Sequence, residues 1–370
     1  MLIKDITLHN IRSLGCSTLK LGHKLSVVVG SNGAGKTSIL EAISIVSTGK
    51  SFRTRQIETV ISNDRSELVV FCRKDNESSV SNLGIKRDRK GSYKVKVDGQ
   101  SSNSLVDLSR ALPAFIITPD FYDDFLTTRA SRIKLLDQGL FHVEHDFYQH
   151  WKSFNKILKQ RNALLKSIRE GKSQRTALGY WDETLCLHAE MIDELRRKYL
   201  SDLKPRFRSY CSAYNDFHQS LEIEFNSGWN NNEPLINELN RSIERDVSRG
   251  FTHFGAHKAD ITFKFDGKKA VDYASRGQQK IMVNNFMLAT IEQFIGAKNK
   301  PCIVAIDDLA SELDQFHQEG LVTALLALNG AQIVITCIDI NSLPEAVSGY
   351  NSAMFHVEHG TVNVIEKTDK

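Results

Sequence analysis

The sequence predicts an α/β protein: a P-loop nucleotide-binding head on a mixed or parallel sheet, interrupted by a helical insertion that makes a second lobe. Three observations lead there. A β-branched run from Leu25 to Val29 ends in a glycine-rich loop and is followed by apolar residues at helical spacing, Ile39, Leu40, Ile43 and Val46. Cys302 to Ile306 and Gln332 to Thr336 are compact apolar runs of the kind a parallel sheet buries on both faces. Between them, from about Thr128 to Pro205, glycines are few and the pattern is helical.

The remaining elements follow in order. Leu2 to Leu8 and Ser17 to Leu21 alternate apolar and polar residues, as strands of a half-exposed sheet do. Glu67 to Val97 reads as a meander whose hairpin tip is Arg87 to Ser92. Ala114 to Thr118 is a further strand, closed by Pro119, and Gly171 and Gly179 mark the break between two antiparallel helices. Strand-like segments return at Leu221 to Phe225. The head is therefore expected to be discontinuous, with residues 1–127 and 221–370 forming lobe I and residues 128–220 the helical lobe II. Only Lys367 to Lys370 read as frayed.

A length of 370 residues favours two or three folding units. With 41% hydrophobic and 25% charged residues, the composition excludes disordered and fibrous classes. A net charge of +4 does not announce a polyanionic partner, so that case rests on local clusters. The six cysteines form no C-x-x-C pair, which argues against a zinc site and a secreted disulfide scaffold and points to buried thiols in a reducing compartment. The first ten residues lack the apolar core of a signal peptide, and no segment approaches the ~18 consecutive apolar residues that span a bilayer. A cytoplasmic location without a membrane partner is expected.

The sharpest motif is Gly30-Ser31-Asn32-Gly33-Ala34-Gly35-Lys36-Thr37, a complete G-x-x-x-x-G-K-[ST] phosphate loop running into Ser38. Its glycines let successive N–H groups face one anion, Lys36 neutralises the β- and γ-phosphate oxygens, and the Thr37 hydroxyl ligates Mg2+. The helix that opens there adds its positive end. In the run Cys302 to Asp308, a buried strand delivers Asp307 to the sheet edge where a carboxylate holds the magnesium shell, and Asp308 is placed to polarise the attacking water. ATP and Mg2+ are the cofactors implied.

Ala274-Ser275-Arg276-Gly277-Gln278 resembles the L-S-G-G-Q signature of ABC-type ATPases, with Ala for Leu and Arg for the first Gly. Ala310-Ser311-Glu312-Leu313-Asp314 resembles their D-loop, and the order of the four motifs is right for the class. That resemblance implies an ATP-dependent homodimer in which Ser275, Arg276, Gly277 and Gln278 meet the γ-phosphate held by the opposite copy. Ser275 is also a natural helix N-cap.

The likeness becomes closer over nearly the whole chain. Ser38 to Ile43 after the phosphate loop, Phe52-Arg53, Ile117 to Asp120, Leu158 to Leu165, Gly255 to Asp260 and Ile306 to Asp314 resemble the RecF family. The resemblance implies an ATP-dependent DNA-binding protein of replication and recombinational repair. It would bind gapped or duplex DNA and assist recombinase loading with RecO and RecR. The chain departs from the family at Thr127 to Asp137, where a glycine, a proline and one arginine are missing, and at Ala256 and Lys258. No Q-loop glutamine is assigned, and Ile335 to Asp339 carries no switch histidine, so slow, DNA-stimulated hydrolysis is the expectation.

Two basic clusters stand out as DNA contacts. One, residues 86–96, holds Lys86, Arg87, Arg89, Lys90, Lys94 and Lys96; the other, residues 156–175, holds Lys156, Lys159, Arg161, Lys166, Arg169, Lys172 and Arg175. The bland alternatives are a charged hairpin edge and a solvated helix face. Arg161 falls on the apolar stripe of its helix, where pairing with a carboxylate inside the lobe is expected. His257 and Lys258 read equally as phosphate contacts or as a cap on the returning strand. Trp151, Trp181 and Trp229 read as core. A transporter's nucleotide-binding subunit and a chromosome protein of the SMC or Rad50 kind remain alternatives, against which stand the basic helical insertion and the lack of long heptad runs.

Overall fold

The computed structural model describes residues 3–76, 79–212, 221–309 and 313–365. It opens with β1 (Asp5–Ile11), β2 (Leu14–Lys20), β3 (Leu25–Val29), α1 (Lys36–Thr48), β4 (Glu67–Asn76), β5 (Ser79–Asp88), β6 (Tyr93–Val97), β7 (Gln100–Ser102), α2 (Leu105–Ala111) and β8 (Ala114–Ile117). Next come α3 (Pro119–Thr127), α4 (Arg129–Val143), α5 (Phe147–Arg169), α6 (Gly179–Ser212), β9 (Leu221–Asn226), α7 (Leu235–Arg249), β10 (Asp260–Phe265), β11 (Lys268–Lys269), α8 (Ala270–Tyr273) and α9 (Arg276–Lys298). The chain ends with β12 (Cys302–Ile306), a helix Gln315–Ala327, β13 (Ala331–Cys337), a short helix Glu345–Ser348, β14 (Ala353–Glu358) and β15 (Thr361–Ile365). Backbone contacts divide it into two compact units, Met1–Tyr122 with Ile295–Lys370, and Asp123–Phe294.

The first unit contains two six-stranded sheets. One has the order β2-β1-β4-β5-β6-β7 and is antiparallel throughout; the other has the order β15-β14-β3-β13-β12-β8 and is parallel except for β15 at its edge. A single core joins them through α1: Ile39, Leu40 and Ile43 share it with Leu8, Val70 and Ile85 of the antiparallel sheet and with Ile303 and Val334 of the parallel one. A helix covered on every side must be apolar on every side. The buried polar side chains of α1 are Lys36, Ser38, Glu41, Ser44 and Ser47; of these, fully buried Glu41 is held by the Arg12 guanidinium at 2.8 and 2.9 Å and by the Ser51 hydroxyl at 2.5 Å. That satisfies the charge, which would otherwise carry a large desolvation cost.

The second unit contains the helical pair and more. Arg161 meets Asp182 and His150 meets His188, the register of the antiparallel pair expected for α5 and α6. Arg161 is wholly buried, its Nε 2.5 Å from Asp182 and its Nη1 2.8 Å from both Asp246 of α7 and the Thr252 hydroxyl. The expected internal ion pair is therefore present, with two carboxylates rather than one. Phe125, Phe207, Phe263 and Phe286 pack as a second core. Arg132 forks onto Asp260 and Arg196 onto Asp137, while Arg196 also donates to the Ala256 carbonyl and Arg129 to that of Lys258. These clasps draw together the segments where the sequence departs from the RecF pattern.

Several expectations change. Residues 221–294, read as part of lobe I, fall in the second unit, because β9 pairs with β10 in a small three-stranded sheet instead of joining the head's sheets. Helix α6 does not stop at Pro205 but continues to Ser212. Cys16 is exposed on an edge strand, unlike the other five thiols. Trp151 is 40% exposed and Trp181 and Trp229 are half-buried, so none of the three is a core residue. Lys367 to Lys370, read as frayed, lie outside the described residues.

Removing Arg161 would leave two carboxylates buried without their cation. Breaking a buried pair in this way costs about 3–5 kcal/mol. Arg161→Leu is expected to lower the unfolding free energy by that amount in urea titrations followed by circular dichroism.

Candidate nucleotide site

The phosphate loop is shaped by its glycines and by the chain that braces it. Gly33 and Gly35 adopt φ of 79° and 119°, which only glycine takes readily, so the loop curls into a concave nest. A Cβ on Gly30 would lie 2.4 Å from the Val357 carbonyl oxygen, which shows how closely β14 runs beneath the loop. The turn after β14 uses His359 and Gly360, both at positive φ, a type I′ arrangement that lets β15 fold straight back. From that turn Gly360 donates its N–H to the Ala34 carbonyl at 3.3 Å. Ser31, Asn32 and Gly33 are exposed at the rim, whereas Gly30, Ala34, Lys36 and Ser38 are buried.

Helix α1 begins at Lys36 behind Gly35, which has no side chain to cap it, and its first turn carries no acid. The leading N–H groups and the positive helix end are thus left to an anion. Buried Lys36 reaches back along the loop, its Nζ donating to the Gly30 and Ser31 carbonyls at 2.7 and 3.1 Å. This places its charge inside the curl, where the sequence motif requires it.

The second half of the site arrives on the neighbouring strands. In the parallel sheet β13 lies between β3 and β12, so the loop after β3 and the aspartates after β12 emerge at the same edge. The Thr37 hydroxyl donates to the Asp307 carboxylate, 2.9 and 3.1 Å from its two oxygens. A hydroxyl and a carboxylate converging after a phosphate nest are hard oxygen donors that fit Mg2+, which keeps several waters and takes few protein ligands. Asp308 follows in the left-handed region, with φ of 49°. Thr336, at the end of β13, touches both aspartates: its hydroxyl donates to Asp307 at 2.7 Å and accepts the Asp308 N–H at 2.9 Å. Sequence reading passed over this residue; its one signal was a hydroxyl at the end of a buried strand whose other polar side chain, Gln332, lies at the opposite end.

The signature-like segment has a clear local structure. Ser275 and Gln278 exchange hydrogen bonds, the Gln278 N–H to the serine hydroxyl at 3.2 Å and the Ser275 N–H to the glutamine side chain at 2.9 Å. This is a capping box at the start of α9, the role weighed for Ser275 from sequence. Ser275, Arg276 and Gly277 are exposed, and Tyr273 just before them is 63% exposed. This segment belongs to the second unit, not to lobe I. Of the D-loop-like stretch, Ala310, Ser311 and Glu312 lie outside the described residues, and Asp314 caps the following helix by accepting from His317 N–H at 3.0 Å.

The basic clusters divide. Arg87 donates to the Gly49 carbonyl, and Arg89 holds the carbonyls of Arg65, Ser62 and Asn63 at 2.7 to 2.9 Å, so both guanidiniums brace loops of the first unit. Lys86 pairs with Glu67 at 2.5 Å. Lys90, Lys94 and Lys96 stand exposed. On α5, Lys156, Lys159, Lys166 and Arg169 are all exposed, the last two flanking Gly250 at the end of α7. His257 is turned inward, its Nε2 donating to the Thr252 carbonyl at 3.0 Å and its ring against Phe154. Lys258 lies over the Phe251 ring.

These parts define a class: a P-loop ATP-binding head with a signature-bearing unit, of the kind shared by recombination and chromosome-structure ATPases. The family described as "RecF/RecN/SMC N terminal domain" matches residues 2–363. The chain is 37% identical to the DNA replication and repair protein RecF of Pseudoalteromonas translucida, covering 98% of this chain and 99% of that one. It is 35% identical to RecF of Pseudomonas syringae pv. tomato, covering 98% of each. Its fold is that of the recombination mediator protein RecF solved with ATPrS, with a TM-score of 0.87, 24% identity and 98% of each chain covered. The chain belongs to the RecF family of DNA replication and repair proteins. Among the described residues no helix is long and apolar enough to cross a membrane.

Two outcomes follow. Lys36→Met is expected to abolish ATP binding in a filter or calorimetric assay while leaving the melting temperature close to the parent's. Burial pushes His257 down from 6.5 to about 4, and the neighbouring cations Lys258, Arg129 and Arg161 push the same way. The unfolded chain thus takes up that proton first, and stability falls as pH drops from about 6.5 towards 4. At about 1.4 kcal/mol per unit, the loss for this group approaches about 3 kcal/mol, and His257→Gln should make the fall shallower. His142, half-buried and likewise lowered to about 4 by desolvation, accounts for part of what remains.

Proposed function

We propose that the chain binds ATP with Mg2+ and uses it to close two copies on DNA, with slow hydrolysis reopening them. The observation that carries this reading is the pairing, in one chain, of an uncapped anion cradle with an exposed capped helix start of the signature type. Each alone is incomplete: the cradle and Lys36 grip the triphosphate from one side, and the far side of the γ-phosphate needs donors from outside it. A second copy supplies them through Ser275, Arg276, Gly277 and Gln278. Thr37 and Asp307 would hold Mg2+, which spreads the triphosphate charge, and Asp308 takes the proton from the attacking water.

DNA lies along the exposed cations of α5, Lys156, Lys159, Lys166 and Arg169, with Lys90 a further contact from the first unit. RecR and RecO, expected from the resemblance, are protein partners in the assembly that loads recombinase on gapped or junction DNA, and the location is the cytoplasm. Relatives named for replication and repair over nearly the full length support this reading.

Sedimentation with Mg-ATP tests it. Wild type and Asp308→Asn should dimerise, the variant persistently because hydrolysis is slowed, and Ser275→Ala should stay monomeric while Ser275→Asn, which keeps a helix cap, shows whether capping alone suffices. Duplex DNA should raise wild-type ATP turnover. A monomer under all conditions, or turnover indifferent to DNA, would sink the reading. Lys159→Ala and Lys166→Ala should each lower the log–log salt slope of DNA binding by ~0.9 if they meet phosphate.

A further inference from the structure

The end of β13 carries a residue that the phosphate-loop chemistry does not name. Thr336 is fully buried, one position beyond Ile335, which pairs with Ile306 on β12. Around it β13 reads Ala-Gln-Ile-Val-Ile-Thr-Cys, and a valine would occupy its volume without carrying a polar atom into the sheet. The hydroxyl therefore has to be accounted for by what it touches.

It touches the two aspartates in complementary ways. A hydroxyl has one proton and two lone pairs. The proton goes to Asp307 Oδ1 at 2.7 Å, and a lone pair accepts the Asp308 backbone N–H at 2.9 Å. One atom thus fixes the direction of the first carboxylate and the backbone of the second. Asp308 needs that hold, because at φ of 49° it lies in the left-handed region, which a non-glycine residue keeps only when its surroundings impose it. Asp307 is secured from the opposite side by its own N–H to the Ile117 carbonyl at 2.8 Å and in front by Thr37.

We infer that Thr336 is a positioning residue for ATP hydrolysis, setting through one hydroxyl both the Mg2+-facing carboxylate of Asp307 and the backbone turn that aims Asp308. The inference rests on the roles given above to those aspartates. Its consequence is that the metal requirement and the hydrolytic step are tied to one group and fail together when that group is lost. A residue that merely fills the core would not link them.

Thr336→Val keeps the shape and removes the hydroxyl; Thr336→Ala removes it with less risk of crowding, and Thr336→Ser restores it. ATP affinity is measured by calorimetry in EDTA and across a Mg2+ series, and hydrolysis under single-turnover conditions. Val and Ala should bind ATP in EDTA within about 2-fold of wild type, need about 10-fold more Mg2+ for half-maximal tightening, and hydrolyse ATP about 10- to 100-fold more slowly, the range for groups that orient a metal ligand. Ser should return both quantities to within about 3-fold. The inference is overturned if Val and Ala match wild type in both, if they lose affinity equally with and without Mg2+, or if Ser fails to rescue. Absence of any Mg2+-dependent tightening in wild type would instead overturn the reading of Asp307 itself, a result visible in the parent protein before any variant is made.

Discussion

The contact between Thr37 and Asp307 is the constraint from which the rest of the head follows. A helix start and a strand end separated by 270 residues in sequence must meet within hydrogen-bond distance. Only a parallel arrangement does this economically, since strands running the same way release their following loops at one edge. β3, β13 and β12 do so side by side, and a 13-residue helix returns from the loop into the core between two sheets. The antiparallel sheet can then be seen as the far wall of α1, and the buried Arg12–Glu41 pair as the bond that keeps that wall and the loop helix in register.

Much of this arrangement could be read from residue order. The run Leu25 to Val29 is β3 to the residue, and Cys302 to Ile306 is β12 to the residue, because continuous β-branched and aliphatic runs flanked by turn residues leave few alternatives. Arg161 announced its own role by appearing as a charge on an apolar helical stripe. What could not be read depended on pairing across distance. β9 has the same alternating pattern whether it joins the head or pairs with β10, so assigning it by likeness to a strand put it with the head's sheets. Arg87 and Arg89 look like free cations in a basic run, and only the folded hairpin shows their guanidiniums turned onto carbonyls of neighbouring loops. Thr336 offered only its hydroxyl for the same reason, its significance lying in two aspartates that follow a neighbouring strand.

The second unit shows a different economy. Its interior carries linked charge pairs: Arg161 with Asp182 and Asp246 and Arg196 with Asp137 are buried or nearly so, and Arg132 with Asp260 is half-buried. Such pairs contribute little net stability compared with apolar packing, but they tolerate no misalignment, because a half-paired buried charge is severely penalised. Such forks favour an interior that accepts one packing only, beneath the exposed capped start of α9. The aromatic cluster around Phe263 adds apolar packing beside these forks.

The turn at His359 and Gly360 leans on the phosphate loop through Ala34, more than 320 positions upstream, and β14 completes the strand order beside β3. Early in synthesis the glycine-rich segment therefore has neither its floor nor its neighbour. The cradle takes its shape only when contacts of very large sequence separation close, the kind of contact that forms slowly in folding.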